Sequence, residues 1–537
     1  NLIDVFFYQD KGVFILLGFI PISIASWYMG SLFLALPSIP YPGYYLTDTW
    51  MIVGWNILIV VLSIILFYWF RYGGTLSHDD KPEWDTIPTV VKEDIFFARA
   101  TVPDLCALET VYKNPLRSEY TASEEDINDA IKRIVPNEFK DTWQQLDNPL
   151  YAFKKITKGP KIKKPKHIFF IVGESIPQWS LDETHKLLNI CPGLWNFKSQ
   201  SHTVQIPNFL PAGNVSRPSI VSLMSGIYDA GLEINERESF WKGVFPTSFA
   251  HQMKRLGYQT IYWYGGNASY GNFNHFGKAQ GFDRVESASI FCGPDAPKTW
   301  VGVYDHVFLE NIEQQIKSIN EPTFHFIYTT SNHGPYKMED SLLDYDPEKV
   351  MPDVGEDLRS NKTRNKELAT YRYSDKAIFT FVEAMKKAFP DSLFIVTGDH
   401  SNLFGSLNNT SLIRRDYTLR DTFCTVALLQ HPDLNQDMIV SSKGTHMSLM
   451  PTIIEAIAPK GFEYYSIAPS LFEDQPETLV TPYQWITDSL IGDVRGDYGE
   501  SNVATTEPVE PVRPIDNHAD NARDWTLLTM WLINHRG

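Results

Sequence analysis

Apolar residues follow two different rhythms along these 537 positions. Near the start they form long unbroken runs. Between Val13 and Thr47 there is no acidic, basic or histidine side chain, and Val13 to Leu36 is predominantly apolar. A second run goes from Trp50 to Phe70 and stops at Arg71. A helix that crosses a bilayer needs ~20 apolar residues, and both runs are long enough. Trp50, Tyr68, Trp69 and Phe70 stand where interfacial aromatic side chains are favoured. Two transmembrane helices are therefore predicted within residues 1–75, at about 13–36 and 50–70. The loop from Pro37 to Trp50 carries one charge, Asp48, so charge bias leaves the orientation open.

The second rhythm begins at His167. Ile168 to Val172, Thr260 to Tyr264, Phe324 to Tyr328, Leu393 to Val396 and Phe423 to Leu428 are short apolar runs rich in β-branched and aromatic residues. Between them lie stretches with helical spacing: Thr247 to Leu256, Asp305 to Ile316, Lys366 to Ala388 and Ser448 to Ile457. Near-continuous apolar strands alternating with helices predict an α/β fold, a mostly parallel sheet with helices on both faces. Its domain is expected over 167–490. Residues 76–166 read as a polar, partly helical linker, in which Ser123-Glu-Glu-Asp126 starts a helix carrying Ile127, Ala130, Ile131 and Ile134 on one face. Seven lysines crowd Lys154 to Lys166, a pattern of a solvated tether or of a patch for anionic lipid headgroups. Residues 491–537 form a C-terminal extension, extended from Glu507 to Asp520, with an apolar helix at Trp525 to Ile533 that docks on the body or the membrane.

Lys and Arg number 47 against 64 Asp and Glu, a net charge of −17. That excess argues against nucleic acid as a partner, since phosphate contacts need a basic surface. The four cysteines, Cys106, Cys191, Cys292 and Cys424, are too widely spaced for a zinc knuckle. Cys424 reads as a packed core thiol, and a Cys191–Cys292 disulfide is allowed in an oxidising compartment.

Candidate chemistry lies where strands end. In open α/β sheets the ligand crevice is beyond the carboxyl ends of the strands. Glu174 follows one apolar run by two residues, and Asp399 and His400 follow another by three and four. Ser216 precedes Arg217-Pro218, and proline favours the first turn of a helix, so Ser216 is expected at or just before a helix N-terminus. Such an end presents free N–H groups to a phosphate or sulfate ester. Two carboxylates, one imidazole and the serine oxygen make a four-ligand set that suits zinc or manganese better than calcium. Ser216 alone can be a helix cap, and Asp399-His400 alone a turn. His333, in the turn-forming stretch Thr329–Pro335, and His446, opening the helix that holds Pro451, are candidate substrate contacts or proton donors.

These motifs together resemble the sulfatase branch of the alkaline phosphatase superfamily, and within it the lipoteichoic acid synthase-like and phosphoethanolamine transferase-like membrane enzymes. The resemblance rests on Gly173-Glu174-Ser175, on Ser216 with Ser225-Gly226 after it, on Asp399-His400, on Ser331-Asn332-His333 and on Tyr373-Ser-Asp375. It implies a metal site of Glu174, Ser216, Asp399 and His400, with Ser216 as nucleophile. Two departures stand out. Ile220 occupies the place of the arginine in the motif that formylglycine-making sulfatases carry, and Tyr264-Gly265-Gly266 replaces a His-Gly pair of the glycerol-phosphate polymerising enzymes. Tyr264, Asn272 or His275 then become candidate substrate contacts.

The expected protein is a multi-pass enzyme of the cytoplasmic membrane with an extracytoplasmic catalytic domain. It would move a phospholipid headgroup, phosphoglycerol or phosphoethanolamine, through a phospho-serine to a glycan or lipid acceptor. A sulfatase or phosphodiesterase that uses water as acceptor, and a non-catalytic membrane sensor or assembly subunit on the same fold, are the other readings.

Overall fold

The computed structural model describes residues 21, 23–31, 46–71, 122–346, 362–402, 418–496, 498–503, 511 and 518–535. The chain divides into two compact units, Asn1–Leu116 and Arg117–Gly537. In the first unit, α1 (Thr49–Arg71) is a 23-residue apolar helix, ~35 Å long at 1.5 Å per residue, and so long enough to cross a bilayer. Asp48 accepts from the backbone N–H of Trp50 at 2.8 Å, satisfying a donor that the first turn leaves free. It is the one helix among the described residues with the length and composition of a membrane span. Of the span expected at 13–36, residues 21 and 23–31 are helical, and the rest lies outside the described residues.

In the second unit a seven-stranded sheet forms the frame. Its strands are β1 (His167–Gly173), β2 (Thr203–Gln205), β3 (Gln259–Tyr264), β4 (Arg284–Ser287), β5 (Thr323–Tyr328), β6 (Leu393–Gly398) and β7 (Ala427–Gln430). Their spatial order is β2-β7-β6-β1-β5-β3-β4, and every pairing is parallel except those of β7. The expected fold is therefore the observed one, with one shift. The run predicted from Phe423 becomes a strand only at Ala427, because Thr418 and Asp421 form a reciprocal cap that turns Leu419–Phe423 into a short helix.

Alternation along β1 explains the two covered faces. Ile168, Phe170 and Val172 point into one core, Phe169 and Ile171 into the other, and all five are fully buried. The first core is covered by α3 (Ser216–Ser225) and α6 (His446–Ile457), the second by α4 (Asp305–Lys317) and α5 (Lys362–Ala388). Each fully buried Phe or Ile contributes about 1.5–3 kcal/mol, so strands apolar on both faces are stable only between two helix layers.

Outside the sheet, the helix expected to start at Ser123-Glu-Glu-Asp126 is α2 (Glu124–Ile134), which Ser123 and Asp126 cap reciprocally. Its apolar face packs on α7 (His518–His535), where Arg133 pairs with the buried Asp524 through two bonds of 2.6 and 2.8 Å. Leu527, Leu528 and Leu532 are buried, so this helix docks on the body. The extended stretch expected before it lies largely outside the described residues. The boundary expected at 490/491 falls inside a four-stranded antiparallel sheet, β8 (Leu479–Val480), β9 (Gln484–Ile486), β10 (Leu490–Asp493) and β11 (Gly499–Ser501).

The lysine run is not a loose tether: it is held on the body, with Lys155 half-buried and the other six lysines exposed. Lys154 to Ile156 pairs as a strand with Glu463 to Tyr465. Lys154, Lys158 and Lys163 form ion pairs with Glu463, Glu473 and Asp391, while Lys155 and Lys164 donate to the carbonyls of Ala468 and Leu256. Cys191, Cys292 and Cys424 are free thiols. Cys191 faces the Ser180 carbonyl at 3.4 Å rather than Cys292, and Cys424 is buried as expected. Cys106 lies outside the described residues.

The sheet encloses two stacked imidazoles, His167 and His325, with their ring nitrogens 3.2 Å apart. Burial lowers the His167 pKa to about 4 and that of His325 well below its ordinary value. Both rings are neutral in the folded state and must be charged in the unfolded chain below pH ~6.5. Their contribution is complete above that pH and is lost as the pH falls towards 4, by about 1.4 kcal/mol per pH unit and per ring. Thermal unfolding followed from pH 7.5 to 4.5 should show a melting temperature that falls steadily below pH 6.5; a flat profile would contradict this assignment.

Candidate active site

Four strand ends meet at the site. Glu174 follows β1, Asp399 and His400 follow β6, Thr329 follows β5 and Gly265 follows β3. Gly173 and Gly398 stand opposite each other in the β1–β6 register. A Cβ on Gly173 would come within 2.2 Å of Ile176 Cδ1, and one on Gly398 within 2.4 Å of Thr425 Oγ1. Glycine at 173 leaves room for the Ile176 side chain, and glycine at 398 lets the loop after β1 pass close, since a Cβ there would also lie 2.5 Å from the Ile176 carbonyl. Ser175 completes the turn with a left-handed backbone, φ 55°, uncommon for a side chain other than glycine or asparagine. Its N–H donates to Asp399 Oδ1 at 2.7 Å and its hydroxyl to Glu174 Oε1 at 2.9 Å.

Ser216 is the first residue of α3, with Val215 as an extended N-cap that offers no side-chain bond. Its Oγ lies 3.4 Å from each oxygen of Glu174 and 3.3 Å from His400 Nε2. His400 Nε2 is in turn 3.8 Å from Glu174 and 3.6 Å from Asp399. Glu174, Asp399 and His400 each present a ligand atom within 4.8 Å of the others. The chosen residues thus come together although they are up to 226 positions apart in the chain, the distance from Glu174 to His400.

The electrostatics of this cluster favour a cation. Burial, and next the repulsion of Asp399, raise the Glu174 pKa. Burial opposes charge on His400, but Asp399, Glu174 and the Ser401 carbonyl together outweigh it and raise its pKa. His400 Nδ1 is 2.7 Å from that carbonyl, so this nitrogen carries the proton and Nε2 faces the carboxylates. Two buried carboxylates, an inward-facing imidazole nitrogen and a hydroxyl are a donor set that fits a divalent cation such as zinc or manganese.

Further residues hold these groups in place. Ser219 Oγ donates to the Asp399 carbonyl, tying α3 to the end of β6. Asn214 Oδ1 accepts from Gln484 at 2.7 Å, so the antiparallel sheet supports the loop before Ser216. His446 proves to be of this kind rather than a substrate contact. It is 1 % exposed; Nδ1 accepts from Ala212 N–H at 3.1 Å and Nε2 is 3.0 Å from the Gly398 carbonyl. Burial lowers its pKa to about 4. A neutral ring therefore stitches the loop before Ser216 to the residue before Asp399.

The other candidate contacts divide. His333 is half-buried, edge-on to the Trp300 ring at 5.1 Å, and near enough to Glu174 to oppose the rise of that carboxyl's pKa. Tyr264 is buried and stacked on Tyr328 at 5.4 Å. Asn272 is occupied by Glu236, at 2.5 Å, and His275 is exposed and stacked on Trp241. Neither of these last two reaches the Ser216 cluster through a hydrogen bond.

Sequence reasoning missed Tyr328. Its hydroxyl is 2.7 Å from Glu174 Oε2 and 3.1 Å from Asp399 Oδ2. As the last residue of an apolar strand it reads as core, and only the pairing of Tyr328 with Val172 places it beside both acids. One phenolic proton cannot serve two carboxylate oxygens equally, and the shorter contact assigns it to Glu174. Replacement by phenylalanine keeps the ring stack and removes this orienting bond. Tyr328→Phe should leave the melting temperature nearly unchanged and weaken zinc binding about tenfold, the lower end of what lost outer-shell partners cost; titration against a competing chelator measures it, and unaltered affinity would show that the phenol orients nothing.

Comparison with known proteins gives a consistent picture. The family model described as sulfatase matches residues 166–458. Lipoteichoic acid synthase 1 of Bacillus subtilis (strain 168) is 22% identical over 259 residues, covering 45% of this chain and 39% of that protein. The chain thus spans about two fifths of that relative's length. Among solved structures, a protein in the alkaline phosphatase superfamily from Vibrio parahaemolyticus superimposes with a TM-score of 0.56 at 19% identity, covering 78% of this chain and 98% of the other. The lipoteichoic acid synthase LtaP from Listeria monocytogenes gives 0.54 at 16% identity, covering 77% and 98%. These likenesses establish the same fold. Since the family match covers more than half of the sequence and contains the whole Glu174–Ser216–Asp399–His400 cluster, the chain belongs to the sulfatase family.

Proposed function

We propose that this protein is a membrane-anchored, metal-dependent phosphotransferase of the alkaline phosphatase superfamily. It takes a phosphorylated headgroup, phosphoglycerol or phosphoethanolamine, from a phospholipid and passes it to a glycan or lipid hydroxyl outside the cytoplasmic membrane. The observation that carries this reading is the Ser216 hydroxyl within 3.4 Å of Glu174 and His400, at the uncapped N-terminus of α3. A helix start favours the anionic ester, and the hydroxyl stands where its proton can be given up.

Glu174, Asp399, His400 and Ser216 would hold the cation. When bound, it supplies positive charge that eases loss of the serine proton. Ser216 Oγ then attacks phosphorus in line; the bond from phosphorus to the diacylglycerol oxygen breaks, and that oxygen takes up a proton. His333, on the loop after β5, is a candidate donor for that proton. In the second half the acceptor hydroxyl loses its proton, attacks the phospho-serine and frees Ser216 Oγ. A lipid donor is confined to the bilayer, which gives an apolar anchor such as α1 its purpose. The lipoteichoic acid synthases among the relatives support a transferase over a hydrolase. Ile220, fully buried in α3, places no cationic side chain where formylglycine-making sulfatases carry arginine.

Ser216→Ala should abolish transfer, by at least 10³-fold for loss of a nucleophile, with the melting temperature nearly unchanged and zinc still held, more weakly, by Glu174, Asp399 and His400. Intact mass measured after incubation with native lipids should show the headgroup phosphate on wild-type Ser216 and nothing on the variant. Undiminished transfer by Ser216→Ala would overturn the assignment, and formylglycine at position 216 would favour sulfate ester hydrolysis.

A further inference from the structure

Asp305 has no place in the chemistry above, yet it is a fully buried carboxylate directly behind it. It is the first residue of α4. Its Oδ1 accepts from the backbone N–H groups of both Thr330 and Ser331 at 3.1 Å, and its Oδ2 from Ser374 Oγ at 2.6 Å. Its own N–H donates to Ser331 Oγ at 2.8 Å. No basic side chain is among these hydrogen-bond partners. A carboxylate buried in this way is retained only where oriented N–H and O–H dipoles satisfy it, and here those dipoles belong to the loop after β5.

That loop grips Glu174 from both sides. Thr329 Oγ1 accepts from the Glu174 N–H at 3.3 Å, and Asn332 Nδ2 donates to the Glu174 carbonyl at 3.1 Å. The next residue is His333. The segment leading into Asp305 adds three more ties. Trp300 Nε1 donates to the Gly334 carbonyl at 2.8 Å, while its ring meets His333. Val303 N–H donates to the Gly265 carbonyl at 2.9 Å, at the end of β3. Gly302 fits between the two loops because a Cβ there would lie 2.3 Å from Gly265 O and 2.4 Å from Thr330 Oγ1. Residues 300–305 are thus wedged between two strand-end loops of the crevice.

We infer that Asp305 is a positioning residue: through the Thr330 and Ser331 amides it fixes the loop that sets Glu174 and presents His333. The inference rests on the reading of Glu174 as a metal ligand, and it assigns Asp305 no contact with substrate. Loss of the carboxylate releases both amides and lets the grip on Glu174 slacken, whereas an asparagine in its place keeps an oxygen that can accept from the two N–H groups.

The test compares full-length wild type with Asp305→Ala and Asp305→Asn by hydrogen exchange, zinc titration against a chelator, and lipid headgroup transfer. Asp305→Ala should exchange faster in the peptide spanning 329–336 but not in β1, bind zinc about tenfold more weakly, as lost outer-shell partners do, and lose transfer mainly in kcat. Asp305→Asn should stay within about threefold of wild type in all three. Equal damage in both variants, or an alanine variant with a protected loop and normal zinc affinity, would overturn the inference. If Asp305→Ala does not fold, Ser374→Ala, which removes one donor to the same carboxylate, should move exchange and zinc affinity in the same direction; no movement would overturn it. Exchange and zinc affinity do not depend on the substrate, so they separate failure of this inference from failure of the transferase reading.

Discussion

Repulsion between two buried carboxylates is the constraint around which this site is organised. Glu174 and Asp399 are 2 % and 0 % exposed and share one small volume. In a low-dielectric interior neither is comfortable ionised unless positive charge or donated hydrogen bonds compensate it. The surroundings supply as much as protein atoms can: the Ser175 and His400 amides on Asp399, the Ser175 hydroxyl and the Tyr328 phenol on Glu174. What they cannot supply, beyond the imidazoles of His333 and His400, is a full positive charge. A divalent cation would meet that demand, and the Ser216 hydroxyl stands beside the place it would take.

The rest of the second unit reads as support for that arrangement. Parallel strands bring four loops to one edge of the sheet, and glycine at 398 lets the loop after β1 pass close. His446, Ser219 and Asn214 fix the approach of α3, and residues 300–305 hold the opposite rim. Most of these are hydrogen bonds between loops rather than within elements, so the crevice is set by contacts of long sequence separation.

Much of this was legible from residue order. Strand-type runs, helix periods and the acids two or three places beyond a strand were enough to give the sheet and the four-residue cluster, because burial on both faces leaves a plain apolar signature. The failures share a cause. His446 was read as a substrate contact because a histidine opening a helix looks available, and only packing shows both its nitrogens in use. Tyr328 and Asp305 were passed over because a tyrosine ending a strand and an acid opening a helix are ordinary local features. The lysines of 154–166 are mostly exposed, as expected, but the acids that hold the run to the body are hundreds of positions away. In each case the missing information was a partner distant in sequence.

The pairing of α2 with α7 has a consequence for how the chain is made. Arg133 and Asp524 are 391 residues apart, and closing so long a loop adds little to the final free energy, since each doubling costs only about 0.6 kcal/mol. The burden is temporal. During synthesis, at ~5–20 residues per second, Ile127, Ala130 and Ile131 wait on the order of tens of seconds for the helix that covers them. Their apolar stripe lacks that cover meanwhile, so a nascent domain of this design is open to wrong partners until α7 emerges.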